Sequence, residues 1–309
     1  MQIGFIGLGT MGRHMARHLQ EAGHQLTVHD VRRDAATEHL AAGAVWADSP
    51  RQIGEASEIV FTSLPGPPEV EAVALGPDGL LEGMATGSHW FDLSTNSPTL
   101  IRRLHETFAA RGVAVYDAPV SGGPRGAESG RLALWIGGDE AGYERCREVI
   151  SAIGDQPYYV GPIGAGAIAK LVHNCAGYTI QTALAEVFTM GVKAGVDPLV
   201  IFEAVRQGAL GRSRTFERLA DHFLPGEYEK PSFALRLAHK DVSLACALGR
   251  EVGVPMRIAN LTLEEMTEAI NRGWGDWDSR SPMQLQTERA GVEVQVPRAD
   301  IRAAIERNP

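Results

Sequence analysis

A glycine-rich loop between a short apolar strand and an amphipathic helix constrains the fold of this chain more than any other feature. The apolar run Gln2–Ile6 predicts a buried strand, which leads directly into Gly7-Leu8-Gly9-Thr10-Met11-Gly12. A helical pattern follows and ends near Gly23, after which Gln25–His29 predicts a second strand that stops before Asp30. Strand, GxGxxG turn, helix, strand and acid in this order are typical of a dinucleotide-binding βαβ unit.

The three glycines of the loop are expected to have different structural roles. The first allows a tight turn, the second lets the backbone approach a pyrophosphate, and the third lets the helix pack closely on the strand. The helix N-terminus also offers free N–H groups and the positive end of its dipole to phosphates. We therefore predict that the whole loop binds the nucleotide: Gly7, Leu8, Gly9, Thr10, Met11 and Gly12.

The acid after the second strand bears on which dinucleotide is bound. Asp30 lies 18 residues after Gly12, where a carboxylate accepts hydrogen bonds from the adenosine ribose hydroxyls. A 2′-phosphate would meet like charge there, so Asp30 favours NAD over NADP. Arg32 and Arg33 follow at once; they are either solvated charges or partners for a 2′-phosphate, which keeps NADP as the less favoured cofactor.

Alternating strands and helices beyond Asp30 predict an α/β fold with a largely parallel, doubly wound sheet. Strands are expected at 58–64, 88–93, 113–116 and 131–137, and helices at 34–42, from about 68, and at 97–111. After the Gly161–Gly164 turn the pattern becomes helical over 166–194, 198–208, 212–223, 232–252 and 257–272. We predict a Rossmann-type domain over 1–163, an all-α domain over 164–290 and a C-terminal tail over 291–309.

Composition and charge argue against several classes of protein. Of the 309 residues 44% are hydrophobic, and 29 Lys and Arg face 38 Asp and Glu, for a net charge of −9. An acidic chain is poorly suited to nucleic acids or anionic lipids, and no apolar run approaches the ~20 residues that span a bilayer. Three widely spaced cysteines, no metal-ligand spacing and no basic, uninterrupted signal segment predict a cytoplasmic protein without a metal site.

Three loops after predicted strands carry residues suited to ligand binding. The segment Asp92–Pro98 runs from a strand end into a helix, and its hydroxyls are expected to be exposed. Ser97-Pro98 is explained as a helix cap, which leaves Ser94, Thr95 and Asn96 without a structural reason. The segment Asp117–Gly126 contains Ser121, Gly122 and Gly123, whose hydroxyl and N–H groups can hold a carboxylate. The turn at Leu64 and Pro65 leaves a strand on the cofactor side, although a plain turn explains it equally well.

One predicted helix carries a candidate acid/base. Lys170 and Asn174 are four residues apart and share a helix face, just after a run of small residues at 164–169. A domain boundary is a usual place for a ligand site, and burial lowers the pKa of a lysine from about 10.4 towards neutrality. A surface lysine is the commoner fate of this residue type. His173, one position off this face, is expected either to pack or to support the residues that contact the ligand.

Together with the GLGTMG loop, these stretches resemble the β-hydroxyacid dehydrogenases, the family of 3-hydroxyisobutyrate dehydrogenase, tartronate semialdehyde reductase and 6-phosphogluconate dehydrogenase. The resemblance covers about residues 1–290. It implies that Thr95 approaches the nicotinamide ribose and that Ser121, Gly122 and Gly123 hold the substrate carboxylate. It further implies that Lys170 is the general acid/base and that Asn174 orients the substrate.

The resemblance also implies a role for Lys240, in Ala238-His239-Lys240-Asp241, near both cofactor and substrate, with Asp241 pairing with it. It implies a homodimer or homotetramer built through the helical domain, and the tail over 291–309 is expected to contact a partner subunit. Trp274 and Trp277 are candidates for a cleft or a subunit contact, with ordinary packing as the alternative.

Departures from relatives narrow the reaction. The decarboxylating 6-phosphogluconate dehydrogenases place a Glu three residues after the Asn, where this chain has Gly177, and imine reductases replace the lysine that stands here at Lys170. Dehydrogenation of a small 3-hydroxy carboxylate without decarboxylation is therefore expected. Reduction of 2-hydroxy-3-oxopropionate (tartronate semialdehyde) and a non-catalytic nucleotide-binding protein are the alternatives. A second anionic group on the substrate would be bound by three candidate arginines: Arg125, Arg212 and Arg214.

Overall fold

The computed structural model describes residues 1–193, 195–208, 218–251 and 256–307. The chain forms two compact units, Met1–Val172 and His173–Pro309. The first contains all the named strands of the described residues, and the described part of the second is built from helices.

A nine-stranded sheet forms the centre of the first unit. Its strands are β1 (Gln2–Ile6), β2 (Gln25–His29), β3 (Val45–Trp46), β4 (Ile59–Thr62), β5 (His89–Asp92), β6 (Ala114–Asp117), β7 (Val120–Ser121), β8 (Ala133–Gly137) and β9 (Gln156–Gly161). They lie in the order β3-β2-β1-β4-β5-β6-β8-β7, with β9 beside β8. Strands β1 to β6 are parallel, whereas β8 is antiparallel to β6 and β7. The doubly wound sheet is thus confirmed.

Helices cover both faces of this sheet. They are α1 (Gly12–Glu21), α2 (Thr37–Ala41), α3 (Pro50–Glu55), α4 (Pro67–Leu75), α5 (Leu80–Gly83), α6 (Pro98–Ala109), α7 (Gly123–Glu128) and α8 (Glu140–Ser151), with a 3₁₀ turn at Arg33–Ala36. Strand β4 shows why both faces need cover: Ile59 and Phe61 lie in one buried cluster and Val60 in the other. Parallel strands buried on both faces are continuously apolar for this reason.

The strands that sequence reasoning missed are two-residue pieces or lie at the margin of the sheet. β9 contains Pro157, and its residues are half-buried or exposed, which is typical of an edge strand. The loop predicted over 117–126 contains the short strand β7 and the first residues of helix α7.

The second unit continues from α9 (Ala165–Lys193), which crosses the division between the units. Its other helices are α10 (Pro198–Gln207), α11 (Leu235–Glu251), α12 (Arg257–Ala269), a π-helical turn at Ile270–Trp274, α13 (Pro282–Ala290) and α14 (Arg298–Arg307). The helix expected over 212–223 is wrong at its end, because Arg218–Ala220 is a 3₁₀ turn followed by further turns. Its earlier residues lie outside the described part of the chain.

The units divide inside α9, whereas the sequence placed the domain boundary at the Gly161–Gly164 turn. The physical reason is a pair of hydrogen bonds from the start of this helix to the end of strand β6. Gly164 N and Ala167 N both donate to the carboxylate of Asp117. The first turns of α9 therefore pack with the sheet.

The C-terminal tail lies in the core of its own unit. Val294, Val296, Ile301 and Ala304 are buried in the same apolar cluster as residues of α9 and α10. Arg206 Nη1 also donates to Ala304 O at 2.7 Å. The tail thus has a packing role within the chain, whatever it contacts in a partner.

Across the described residues, none of the helices combines the length and the apolar character that crossing a lipid bilayer requires. The three cysteines are buried free thiols.

Candidate active site

The candidate site begins at one row of residues across the parallel strands. Strand pairing aligns Ile6 with Thr62, Thr62 with Asp92, and Asp92 with Asp117. This row forms the carboxyl edge of β1, β4, β5 and β6, and the strand order reverses between β1 and β4. Ligands of open α/β sheets bind beside that reversal, outside the carboxyl ends of the strands. The glycine loop, the Leu64 turn, the Thr95 segment and the Ser121 segment all follow this row. Asp30 follows β2, whose last residue His29 pairs with Ile6.

The three loop glycines differ in their surroundings as expected. Gly7 has φ +94°, and a Cβ there would lie 2.2 Å from Ser63 O. A Cβ on Gly12 would lie 1.8 Å from Gly7 O, so the third glycine permits the helix to pack against the turn. A Cβ on Gly9 would meet no atom within 4 Å, and Gly9 is exposed. The open space lies at the glycine assigned to the pyrophosphate, so the loop fits a dinucleotide.

Asp30 is held in place by the backbone around it. Its Oδ2 accepts from Leu8 N at 2.8 Å and its Oδ1 accepts from Arg32 N at 2.9 Å. Each oxygen has a further lone pair for a ribose hydroxyl. The carboxylate is therefore oriented in advance and is linked directly to the glycine loop.

The arginines after Asp30 differ from each other. Both are exposed, but the Arg33 guanidinium also lies 5.2 Å from the centre of the Trp46 ring and 4.0 Å from Asp48 Oδ1. Trp46 Nε1 donates to the same Asp48 oxygen at 2.7 Å. Arg33 thus has an aromatic and an acidic neighbour within its own unit.

Asp92 connects the loops that follow β4 and β5. It is fully buried and accepts hydrogen bonds from Thr62 Oγ1 at 2.9 Å, Asn96 Nδ2 at 2.8 Å and Ser94 N at 3.2 Å. Ser94 Oγ in turn accepts from Leu64 N at 2.9 Å. Burial raises the pKa of Asp92, and the hydrogen bonds oppose that rise. This network holds together two loops that carry predicted cofactor contacts, Leu64 and Pro65 on one and Thr95 on the other.

The sequence suggested that the hydroxyls of this segment are exposed, but the structure buries part of the segment. Ser94 and Asn96 are buried, because they serve Asp92 and the neighbouring loop. Thr95 alone of the three remains half-exposed. Ser97 accepts a hydrogen bond from Leu100 N and caps α6, as expected.

Ser121 ends the short strand β7, which pairs with β8. Gly122 and Gly123 follow with φ +138° and +63°, a region in which side chains other than glycine are strained. Both glycines are exposed, and Gly126 N donates back to Gly122 O at 3.1 Å. The turn therefore requires glycine and presents its backbone to solvent.

Asp117 is a site residue that sequence reasoning passed over. It is 1% exposed and accepts from Gly164 N at 2.8 Å and Ala167 N at 2.6 Å. Burial raises its pKa to about 6, against the effect of these hydrogen bonds. The signal in the sequence was an acid at a strand end, together with a helix start that has no capping residue of its own.

Lys170 and Asn174 both lie on α9, as predicted. Lys170 is half-buried, in the part of the helix that belongs to the first unit. His173 is exposed, which contradicts the packing alternative; its role in supporting the residues that contact the ligand stays a prediction.

Asn174 belongs to a polar cluster in the second unit. Its Nδ2 donates to Asp241 Oδ2, and Lys240 Nζ lies 2.8 Å from Asp241 Oδ1. Asp241 is 1% exposed. The predicted Lys240–Asp241 pair is present, and the acid also orients the Asn174 amide.

Of the three arginines considered for a second anion, Arg125 is exposed on α7. Arg212 and Arg214 lie outside the described residues. Trp274 and Trp277 stack with ring centres 5.2 Å apart and an angle of 4° between their planes. Both are half-buried, which fits the packing alternative.

Comparison with known families covers nearly the whole chain. Residues 2–161 match the NAD-binding domain of 6-phosphogluconate dehydrogenase. Residues 164–285 match the NAD-binding domain of NADP-dependent 3-hydroxyisobutyrate dehydrogenase. The two matches meet at the Gly161–Gly164 turn.

Individual relatives span the chain as well. A 2-(hydroxymethyl)glutarate dehydrogenase from Eubacterium barkeri is 34% identical over 294 residues, 95% of this chain and 97% of the relative. A 2-hydroxy-3-oxopropionate reductase from Escherichia coli is 36% identical over 245 residues, 79% of this chain and 83% of the relative. Among solved structures, a Mycobacterium tuberculosis 3-hydroxyisobutyrate dehydrogenase with L-serine superposes with TM-score 0.82 at 26% identity, covering 92% of this chain and 99% of that one.

The nucleotide loop, the row of strand ends and the helical second unit thus occur together in a chain whose relatives are dehydrogenases and reductases of hydroxyacids. A nicotinamide cofactor and an oxidoreductase follow, and the non-catalytic alternative is set aside. This chain belongs to the β-hydroxyacid dehydrogenase family of NAD(P)-dependent oxidoreductases.

Proposed function

We propose that this enzyme catalyses reversible oxidation of a 3-hydroxy carboxylate of the 3-hydroxyisobutyrate type, with NAD and without decarboxylation. The observation that carries the proposal is the single row Ile6–Thr62–Asp92–Asp117 at the carboxyl edge of the sheet. The predicted nucleotide contacts and the predicted carboxylate receptor both follow that row within a few residues.

The cofactor would be held by the glycine loop and by the loops after β2, β4 and β5. The pyrophosphate lies against Gly9, the adenosine ribose against Asp30, and the nicotinamide ribose near Thr95. NAD supplies the acceptor for a hydride. The remaining contacts are Leu64, Pro65 and Lys240.

NAD is favoured over NADP by the arrangement around the ribose. The oriented carboxylate of Asp30 suits two free hydroxyls and repels a 2′-phosphate. Arg33 lies close to Trp46 and Asp48, which weakens its attraction for that phosphate.

The substrate carboxylate would be bound by Ser121, Gly122 and Gly123. The exposed turn provides backbone N–H groups and a hydroxyl, the donors that an oxyanion needs. Lys240 adds a positive charge, and Asn174 orients the substrate hydroxyl through the amide that Asp241 holds.

Lys170 is the general acid/base of the proposed reaction. In oxidation its neutral amine takes the hydroxyl proton as the carbon–hydrogen bond breaks, and in reduction the ammonium returns it. Lys170 and Asn174 also stabilise negative charge that develops on the substrate oxygen. General acid–base assistance of this kind contributes about 10²–10⁴-fold in rate.

Loss of carbon dioxide is not part of the proposed reaction. The position of the glutamate that protonates the enol in the decarboxylating branch is Gly177, which has no proton to donate. A Cβ at Gly177 would meet no atom within 4 Å.

Two relatives favour a second candidate substrate class. The Escherichia coli relative is named for reduction of 2-hydroxy-3-oxopropionate. The Eubacterium barkeri relative is named for a glutarate, a dicarboxylate, for which the exposed Arg125 beside the Ser121 turn would be a partner. A substrate with one carboxylate is the first choice, because the described turn provides one receptor.

We also propose assembly into a homodimer or homotetramer through the helical unit. Ile180 on α9 and Ile258 and Leu261 on α12 are large apolar side chains left exposed in the single chain, at 43%, 52% and 41%. Sedimentation of the purified protein tests this, and a monomer at all concentrations would contradict it.

Absorbance at 340 nm tests the activity directly. Purified protein is supplied with NAD or NADP and a panel of 3-hydroxyisobutyrate, 3-hydroxypropionate, serine, glycerate, threonate and 2-(hydroxymethyl)glutarate. Turnover with NAD on a monocarboxylate supports the proposal. Turnover on the dicarboxylate alone, or with NADP alone, would overturn the substrate or the cofactor assignment respectively.

A further inference from the structure

The start of helix α9 has no cap of its own. Gly164, Ala165, Gly166 and Ala167 carry no polar side chain, and the first turn contains no acid. The first N–H groups of a helix have no partner within it, so they need acceptors from elsewhere.

Asp117 supplies those acceptors from the end of strand β6. One carboxylate oxygen accepts from Gly164 N at 2.8 Å and the other from Ala167 N at 2.6 Å. The negative group also faces the positive end of the helix dipole. Because Asp117 is buried, water is poorly placed to take over these bonds if the side chain is removed.

Two glycines allow the helix to reach this position. A Cβ on Gly137 would lie 2.4 Å from Asp117 Oδ1, and a Cβ on Gly166 would lie 2.2 Å from Trp135 O. Helix and strand ends therefore meet backbone to backbone. A contact this close leaves the helix start little freedom to slide.

Lys170 follows this contact at short range. It lies three residues after Ala167, about 4.5 Å further along the helix axis. Towards the C-terminus, the chain leaves Asp117 and reaches Ser121 four residues later. Asp117 therefore connects the helix that carries Lys170 to the segment that carries Ser121.

We propose that Asp117 is a positioning residue, which fixes where Lys170 lies along the axis of α9 relative to the carboxylate receptor at Ser121. The inference rests on the proposed role of Lys170 as acid/base. Asp117 acts through the helix and needs no contact with substrate or cofactor.

The first test is Asp117→Ala, assayed with NAD and the best substrate of the panel. A displaced acid/base is expected to lower kcat about 10–100-fold, with the Kd for NADH within about twofold of wild type by fluorescence titration. Asp117→Asn keeps one acceptor and should restore part of kcat. Hydrogen exchange of residues 165–172 should be faster in the alanine variant than in wild type.

Asp139→Ala is the matched control. Asp139 caps α8 in the same unit, where its Oδ2 accepts from Gly142 N at 2.7 Å, and α8 carries no proposed site residue. This variant should lower the Tm while kcat stays at the wild-type value. Equal losses of kcat in the two alanine variants would reduce Asp117 to a stabilising cap and overturn the proposal.

A double-variant cycle separates positioning from general destabilisation. In a Lys170→Ala background, single-turnover measurements should show less than about a twofold further loss on adding Asp117→Ala, because the displaced group is already absent. Full additivity would overturn the proposal.

The acid/base role of Lys170 and the positioning role of Asp117 are tested separately by these variants. Retained turnover in Lys170→Ala removes the proposed acid/base and this inference with it. Loss in Lys170→Ala with wild-type kcat in Asp117→Ala removes this inference alone. If Asp117→Ala does not fold, Asp117→Asn decides: kcat reduced at unchanged NADH affinity supports the proposal, and wild-type kcat overturns it.

Discussion

Asp241 accepts a hydrogen bond from Asn174 through one oxygen and lies 2.8 Å from Lys240 Nζ through the other. One buried acid thus orients two residues, from α9 and α11, that are proposed to act on the same substrate. Because Lys240 and Asp241 are adjacent in the sequence, their pairing could be predicted. The hydrogen bond from Asn174 to Asp241 joins residues that are 67 positions apart, and it could not.

Asp241→Ala should therefore affect catalysis more than the loss of a surface pair would. The Asn174 amide loses its acceptor and the Lys240 ammonium loses its counter-ion, so we expect kcat to fall about tenfold or more. Asp241→Asn keeps one acceptor and should fall less. Steady-state kinetics measure both, and wild-type kcat in a folded alanine variant would contradict the assignment.

Lys170→Ala should lose about 10²–10⁴-fold in kcat while still binding NADH. Lys170→Arg is the informative comparison, because a guanidinium keeps the charge but cannot release its proton near neutral pH. We expect the arginine variant to be as slow as the alanine variant. An active arginine variant would show that charge alone suffices and that Lys170 transfers no proton.

Gly9→Ala and Gly12→Ala should separate nucleotide binding from folding. A methyl at Gly9 meets no atom of the protein, so the unliganded protein should unfold at the wild-type urea concentration, while NADH binds about tenfold or more weakly. A methyl at Gly12 lies 1.8 Å from Gly7 O and should cost about 1–3 kcal/mol of stability. Unchanged NADH affinity in Gly9→Ala would move the pyrophosphate away from this loop.

Asp30→Ala should narrow the preference for NAD. Without the carboxylate, a 2′-phosphate no longer meets like charge, and we expect the NAD to NADP ratio of kcat/KM to fall about tenfold, equivalent to ~1.4 kcal/mol. Asp30→Asn controls for the bonds from Leu8 N and Arg32 N, since it keeps an acceptor without the charge. A ratio unchanged in both variants would contradict the role of Asp30 in selectivity.

The stability contribution of Asp117 should depend on pH in a defined direction. Burial raises its pKa from 3.8 to about 6, so the folded protein holds this proton more tightly than the unfolded chain. The contribution is full below pH 3.8 and is lost as the pH rises through about 6. Relative to Asp117→Asn, the wild type should gain about 1 kcal/mol between pH 7.5 and pH 5. Urea unfolding at the two pH values measures this, and parallel changes in both proteins would contradict it.

Local patterns determined much of the nucleotide-binding half. The packing at Gly12 depends on Gly7 and the orientation of Asp30 on Leu8, and both contacts join residues of the same short stretch of sequence. Gly7 N also donates to His29 O within this stretch. The short strand β7 and the edge strand β9 were not predicted, because little of them is buried and their sequences show no clear alternation of apolar residues.

Hydrogen bonds between buried polar groups that are far apart in the chain could not be predicted from local sequence patterns. The Ser94 hydroxyl was expected to be exposed because its donor, Leu64 N, lies on another loop 30 residues away. Asp117 was passed over because its partners are 47 and 50 residues away. The sequence alone determined the fold class, the cofactor class and the residue types of the site, since these depend on local periodicity and motif spacing. Only the tertiary structure decided which acids hold the start of α9 and the Asn174 amide, because a buried carboxylate must find its hydrogen-bond donors in space, wherever they lie along the chain.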